Sequence, residues 1–146
     1  MTKRQKILIL IALPVAVLST IIVLALVSAF SVTWVAATRA GNEAATIQNL
    51  KTIAAVETQY FNIHTRTYAT FDQLVREEML GRKFAGHPVI ADGFVLTLKL
   101  DQQHGYTLTA DPQDRSSGKR HFYLDSASTR IRANQDGPAG PHDPVL

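Results

Sequence analysis

The dominant hydrophobic pattern of the chain is an uninterrupted apolar stretch near its start. Between Lys6 and Arg39 lie 32 residues without a charge, most of them Ile, Leu, Val and Ala. About 20 apolar residues are enough to cross a bilayer as a helix, and a helix of this stretch would be about 48 Å long. That length exceeds a hydrocarbon core of about 30 Å, which favours a helix that leaves the membrane and continues. We therefore predict a transmembrane stem over residues 7–38.

Beyond Arg39 the pattern becomes that of an amphipathic helix. Apolar residues recur at spacings of three and four, at Ile47, Leu50, Ile53, Ala54, Tyr60 and Phe61. The polar residues Glu43, Gln48, Lys51 and Gln59 occupy the other positions. This spacing is typical of a helix with one buried face. We predict one helix from about residue 6 to 64, with its first half in lipid and its second half lying across a soluble head.

A short helix and a group of strands follow. Thr70 and Gln73 have the spacing of a capping box at the start of a helix, and Gly81 is placed to end it. From residue 93 the apolar period changes to two, first in the strand that begins at Phe94 and then in the one that begins at Tyr106. Residues 101–105 form the intervening turn.

Two shorter strands and a tail complete the chain. His121–Asp125 places Phe122 and Leu124 on one face, and Thr129–Arg132 is predicted to be a fourth short strand. Residues 133–146 contain three prolines and two glycines, so we expect a disordered tail.

Together these elements define the α+β class, with a long N-terminal helix packed on an antiparallel sheet of three or four strands. The helix is needed because its apolar stripe is the only long surface available to cover the sheet. The predicted organisation is a basic segment at residues 1–6, the stem at 7–38, the head at 39–132 and the tail at 133–146.

Charge indicates the orientation of the chain. Lys3, Arg4 and Lys6 precede the apolar stretch and account for the whole net charge of +3, because the 12 later basic residues match the 12 acidic ones. Cations before a first membrane segment favour the cytoplasmic side. We expect a single-pass protein of the inner membrane with its N-terminus in the cytoplasm and its head periplasmic. The head carries no concentrated cationic face, so we expect no nucleic-acid partner.

A cleaved signal peptide is the alternative interpretation of the apolar stretch. Small residues at Val27-Ser28-Ala29 and Val35-Ala36-Ala37 could be cut. A signal peptide has an apolar region of only about 7–15 residues, so we favour a retained anchor.

The candidate catalytic and metal-binding residues form no recognisable catalytic or metal-binding motif. The chain has no cysteine, and His64, His87, His104, His121 and His142 lack metal-ligand spacing. Glu77 and Glu78 are adjacent in a helical segment and would diverge, and Ser116-Ser117-Gly118 has no partner motif. We therefore expect no enzyme activity, no catalytic or metal residues, and no cofactor.

Several segments, in order, resemble the type IV pilin and pseudopilin superfamily. They are Asn42-Glu-Ala-Ala-Thr-Ile-Gln-Asn-Leu-Lys-Thr-Ile, Tyr68-Ala-Thr-Phe-Asp-Gln-Leu, Phe94-Val-Leu-Thr-Leu, Tyr106-Thr-Leu-Thr-Ala-Asp-Pro and Phe122-Tyr-Leu-Asp. The N-terminus departs from the family pattern, since Lys6 is followed by Ile7 without the glycine of the peptidase cut or the glutamate that pairs between subunits. Some pseudopilins bind calcium beside the sheet, which the resemblance would place at Asp111, Asp114 and Asp125, although solvated carboxylates are the simpler interpretation.

The resemblance implies a non-catalytic, pilin-like structural or assembly protein of an envelope filament or secretion system. Its partners would be the lipid bilayer and, through the stem, other copies or other pilin-like subunits. The alternative is a single-pass, membrane-anchored binding module that does not assemble, using the loops at residues 101–105 and 111–119.

Overall fold

The computed structural model describes the backbone of residues 3–101 and 105–146, and the side chains of residues 14–28, 33–101 and 105–146. The chain divides into two compact units, Met1–Ala37 and Thr38–Leu146. Helix α1, Lys3–Ile63, supplies residues to both units without a break. The boundary lies one residue from the predicted end of the stem.

The first unit consists of the apolar part of α1. Its described large apolar side chains are exposed, most of them by more than half, including Val15, Leu18, Leu24 and Val27. Among the described residues, one helix is long and apolar enough to cross a membrane. A helix with this composition on all sides is typical of a membrane span.

The second unit is an α+β domain, which confirms the predicted class. Helix α2 spans Phe71–Arg76, a single 3-10 turn covers Arg82–Phe84, and five strands follow. The strands are β1 Val89–Ala91, β2 Phe94–Asp101, β3 Gly105–Pro112, β4 His121–Asp125 and β5 Arg132–Asn134. They form one antiparallel sheet in the order β1-β2-β3-β4-β5. Part of the predicted turn, residues 102–104, lies outside the described residues.

The core lies between the second part of α1 and one face of the sheet. The helix contributes Leu50, Ile53, Ala54 and Tyr60, and the sheet contributes alternate residues along each strand, among them Phe94, Leu96, Leu108, Ala110, Phe122 and Leu124. Burial alternates along β3 and β4, as a half-buried sheet requires. The amphipathic stripe therefore covers the sheet as the sequence predicts.

The capping box at the start of α2 is also present. The Gln73 N–H donates to Thr70 Oγ1, and the Thr70 N–H donates to Gln73 Oε1 at 2.8 Å. The helix ends at Arg76, earlier than the predicted stop at Gly81. Glu78 adopts a left-handed conformation, and the Met79 and Leu80 N–H groups both donate to the Leu74 carbonyl, which closes the last turn.

Two predictions about the sheet were wrong. The sheet has five strands rather than three or four, because the three-residue strand β1 pairs with β2 through Ile90 and Val95. The last strand begins at Arg132 instead of Thr129. Thr129 is still part of the preceding turn, with a φ of 50° and an N–H that donates to the Asp125 carbonyl.

Residues 133–146 are also ordered, in contrast to the expected disorder. The Ala133 N–H donates to the Pro144 carbonyl, and the Leu146 N–H donates to the Ile131 carbonyl. Arg132 forms a bridge with Val145, and Ala139 is buried. The prolines and glycines therefore shape a turn that brings the C-terminus back along β5.

Candidate functional site

The head contains a polar groove of about 670 Å³. It lies where the first turns of α1 in this unit meet the loop of residues 113–120 and the segment after β5. Its charged lining residues are Arg39, Asp114, Arg115, Lys119, His121 and Asp136. We call it the polar groove.

A carboxylate on α1 holds the loop that forms one wall of the groove. Glu43 Oε1 accepts hydrogen bonds from the Lys119 N–H at 2.8 Å and the Arg120 N–H at 3.2 Å. Its other oxygen accepts from Arg120 Nε at 2.8 Å. The neighbouring Asn42 Nδ2 donates to the Ser117 carbonyl at 3.1 Å. Helix and loop are thus joined by charge-assisted hydrogen bonds. We call the three hydrogen bonds that Glu43 accepts from Lys119 and Arg120 the Glu43 chelate.

Glu43 was expected on the polar face of the helix, and that prediction was wrong. The residue is only 8% exposed. Burial by itself would raise the pKa of Glu43, but the Lys119 N–H and Arg120 outweigh that effect and lower it. The carboxylate stays ionised because it has donors on both oxygens.

Gly118 allows the loop to lie close to the core. A Cβ at this position would come within 2.5 Å of the Phe94 ring and 3.4 Å of Glu43 Cγ. Real Cβ contacts are not that short, so a larger residue would displace the loop or the ring. The Glu43 chelate and the Gly118–Phe94 contact together fix the position of the wall.

Within the loop, Asp114 is held by two serines. Its Oδ1 accepts from the N–H and hydroxyl of Ser116, at 2.7 and 2.6 Å, and from those of Ser117, at 2.9 and 3.1 Å. These hydrogen bonds, led by the Ser116 hydroxyl, lower the pKa of Asp114 to about 2. The carboxylate therefore organises the loop as an ionised turn acceptor.

The hydroxyls of Ser116 and Ser117 are both hydrogen bonded within the loop. Both serine hydroxyls donate to Asp114, and neither of these hydrogen bonds involves an imidazole. His121, which lines the same groove, is held by Asp111 through a 2.6 Å contact at Nδ1. Among the hydrogen bonds that the structure describes, none joins His121 to Ser116 or Ser117 as a base to a nucleophile.

Three cations of the groove lack a carboxylate partner. Among the side chains that the structure describes, Arg39, Arg115 and Lys119 form no ion pair, although Arg120 next to them does. The Nε atom of Arg39 is buried without a hydrogen-bond partner. Against these three full charges the groove carries Asp114 and Asp136, so it has an excess of positive charge.

A second polar cluster lies in the core, beneath the sheet. Glu57 is fully buried, and its Oε2 accepts from the Ala69 N–H at 3.0 Å. Its Oε1 and the Tyr106 hydroxyl are both buried without a hydrogen-bond partner among the described residues. Burial raises the pKa of Glu57 to about 7, with only partial compensation by the Ala69 N–H. Burial, and then the charge of Glu57, raise the pKa of Tyr106.

The other candidate residues are dispersed. Asp125 is opposite Thr107 and Asp111 is opposite Val95, so these two carboxylates lie at different ends of β3 and cannot share a calcium ion with Asp114. Within the described part of the chain, no three His, Asp or Glu side chains are grouped as metal ligands. Glu77 instead contacts His64, at 2.9 Å. Position 104, one of the five histidines, lies outside the described residues.

Sequence reasoning missed the two buried glutamates, although their spacing carries a signal. Glu43, Thr46, Leu50, Ile53, Glu57 and Tyr60 follow one another at steps of three and four, and all six are buried. A carboxylate in phase with an apolar stripe is therefore a candidate for a buried, partnered group.

Comparisons with models of known protein families, with curated proteins and with solved structures find no match to this chain.

Proposed function

We propose that the protein is a non-catalytic, membrane-anchored subunit of the pilin-like kind, which serves in a cell-envelope filament or secretion assembly. One observation carries this proposal: a single helix is apolar on all sides in its first part and becomes the core helix of an α+β head in its second. A head whose core helix continues the anchor is tied to the membrane through its own core, which suits a structural subunit.

The burial along α1 supports this division of roles. The described side chains between residues 14 and 28 are exposed, whereas Leu50 and Ile53 are completely buried by the sheet. Exposed Leu, Ile and Val in such density are stable in lipid or against other apolar helices. The stem therefore acts in the membrane and between stems, while the head is displayed outside.

The anchor is tested by fractionation of cells that produce the full chain. We expect the protein to remain in the membrane pellet after alkaline carbonate extraction. Protease added to spheroplasts should digest the head and leave a protected apolar fragment. The intact mass of the purified protein should match the uncleaved chain. A mass that matches a chain beginning after residue 29 or 37 would instead establish the signal-peptide alternative.

Self-association of the stem is tested by disulfide cross-linking, for which the absence of native cysteine provides a clean background. Single cysteines are placed at each position from 15 to 28 and oxidised in native membranes. A specific stem interface gives dimers at every third or fourth position, because those positions share a helix face. Ala55→Cys, on the exposed side of α1 in the head, is the matched control. Uniformly weak cross-linking along the stem would contradict assembly.

The second candidate function is a membrane-anchored binding module that does not assemble. The polar groove is the observation that favours it, because it is lined by three cations that form no ion pair with any side chain the structure describes, and its size suits a small molecule. In that case the chain stays monomeric in the cross-linking experiment, and the groove is the active part of the molecule.

A further inference from the structure

We propose that the polar groove binds a phosphate group, carried by an anionic phospholipid at the membrane surface. The phosphate chemistry follows from the groove itself. The lipid as its source rests on the proposed membrane anchoring.

The positive charges of the groove are available to a ligand. Arg39, Arg115 and Lys119 line it and form no ion pair among the described side chains. Arginine donates in a planar fork that matches phosphate oxygens, and lysine adds a mobile point charge.

The carboxylates in the groove do not cancel these charges. Asp114 is occupied by Ser116 and Ser117, whose four hydrogen bonds converge on its Oδ1. The three cations and the two carboxylates, Asp114 and Asp136, together carry a net charge of +1 when His121 is counted as neutral. The neighbouring Arg120, in contrast, is already neutralised by Glu43 at 2.8 Å. The chain thus separates one neutralised arginine from three cations that face the groove.

One wall of the groove is held in place by contacts with α1 and with Phe94. Its loop wall is held by the Glu43 chelate and by the close approach of Gly118 to Phe94. The backbone that carries Arg115 and Lys119 is therefore held in place, and less backbone entropy is lost when a ligand binds. A volume of about 670 Å³ exceeds that of a bare phosphate and leaves room for a headgroup.

The position of Arg39 in the chain favours a lipid phosphate over a dissolved one. Arg39 is the first charged residue after the 32-residue apolar stretch. It lies two residues beyond Ala37, so the covalent chain keeps it within about 7 Å of that residue. If the stretch spans the bilayer, its end lies at the headgroups, where cations attract anionic lipids.

The first experiment measures lipid binding by native mass spectrometry of the full chain released from detergent micelles. The probes are phosphatidylglycerol and, as the uncharged reference, phosphatidylcholine. We expect a phosphatidylglycerol adduct that the double variant Arg39→Gln/Arg115→Gln weakens by about 25-fold, taking about fivefold for each cation. The matched control, Arg66→Gln/Arg130→Gln, removes the same charge at exposed positions outside the groove and should bind as the parent does. Arg115→Gln alone, at an exposed position, tests the site if the double variant does not fold.

The second experiment separates the phosphate site from its lipid source. Inorganic phosphate is titrated onto the full chain in micelles, and the acylation rate of Lys119 is compared with that of the exposed Lys51. Selective protection of Lys119 supports the phosphate site without requiring membrane insertion. Protection by phosphate without a phosphatidylglycerol adduct overturns the lipid source.

Equal loss of lipid in the groove and control variants, with no protection of Lys119, overturns the inference completely. That result leaves the anchor standing, because carbonate extraction tests the anchor independently. Release of the protein by carbonate, in contrast, overturns the proposed function while the phosphate titration still reports on the groove.

Discussion

The buried Glu57 makes a sharp prediction about how stability depends on pH. Its side chain is completely buried, and one carboxylate oxygen has no hydrogen-bond partner in the part of the chain that the structure describes. Burial raises the pKa of Glu57 from 4.5 to about 7. Because the folded pKa lies above the unfolded one, the folded state keeps a proton that the unfolded state releases. The stabilising contribution is therefore complete below about pH 4.5 and is lost as the pH rises through 7.

The magnitude follows from the shift in pKa. Each unit corresponds to about 1.4 kcal/mol, so the contribution of Glu57 should fall by about 3 kcal/mol between pH 4 and pH 8.5. Glu57→Gln has no titrating group and can still accept from the Ala69 N–H. We therefore expect the stability of the variant relative to the parent to rise by about that amount over the same range.

The assay is urea unfolding of the full chain in micelles, followed by near-UV circular dichroism of tyrosine. All four tyrosines, at positions 60, 68, 106 and 123, lie in the head, and Trp34 in the first unit is common to the parent and every variant, so differences between their curves report on the head. Glu78→Gln, at an exposed position of the same domain, is the matched control and should follow the parent curve. If Glu57→Gln and the parent give parallel curves from pH 4 to 8.5, Glu57 is not a neutral buried acid and the reasoning fails.

Three further substitutions test the packing of the head by the same unfolding assay. Gly118→Ala should lower the free energy of unfolding by about 1–3 kcal/mol because its Cβ would overlap the Phe94 ring. The control Gly137→Ala, in open space, should leave the stability unchanged. Equal effects of the two substitutions would contradict the close approach of Gly118 to Phe94. Glu43→Gln should lower the free energy of unfolding by about 2 kcal/mol because it weakens the Glu43 chelate. Hydrogen exchange at the Lys119 and Arg120 amides should become faster, and unchanged exchange would refute the contact. Thr70→Ala should cost about 1 kcal/mol through loss of the N-cap, and an unchanged stability would mean that the cap is not formed in solution.

The elements that the sequence predicted well are those with a strong local signal. The capping box of Thr70 needs only two residues three apart, and the stripe of α1 repeats over several turns. In strands β2 and β3 every second residue is apolar, from Phe94 to Leu100 and from Tyr106 to Ala110. In these segments, local pattern and tertiary burial favour the same conformation.

The errors fall where a distant segment decides the conformation. Val89–Ala91 is too short to alternate visibly, and it becomes a strand because β2 offers it a free edge. The tail has the composition of a disordered segment, but its backbone groups are paired with Ile131 and Ala133. Pairing of this kind depends on what the fold brings nearby, and composition does not report it.

The candidate site shows the same limit. The polar groove joins Arg39, the loop of residues 113–120 and the segment near Gln135, which are far apart in the chain. The sequence alone identifies their charges, but it does not show that Arg120 is neutralised by Glu43 while Arg39 forms no ion pair with a described side chain. Which of these cations form ion pairs is decided by the folded head and not by the local sequence.

The sequence by itself determined the apolar stretch, the amphipathic continuation of α1 and the α+β class, because each depends on a period that neighbouring residues repeat. Only the tertiary structure decided the burial of Glu43 and Glu57, the fifth strand and the shape of the polar groove. The physical reason is that burial and ion pairing are set by contacts between residues remote in sequence. Such contacts form only when the helix and the sheet pack together.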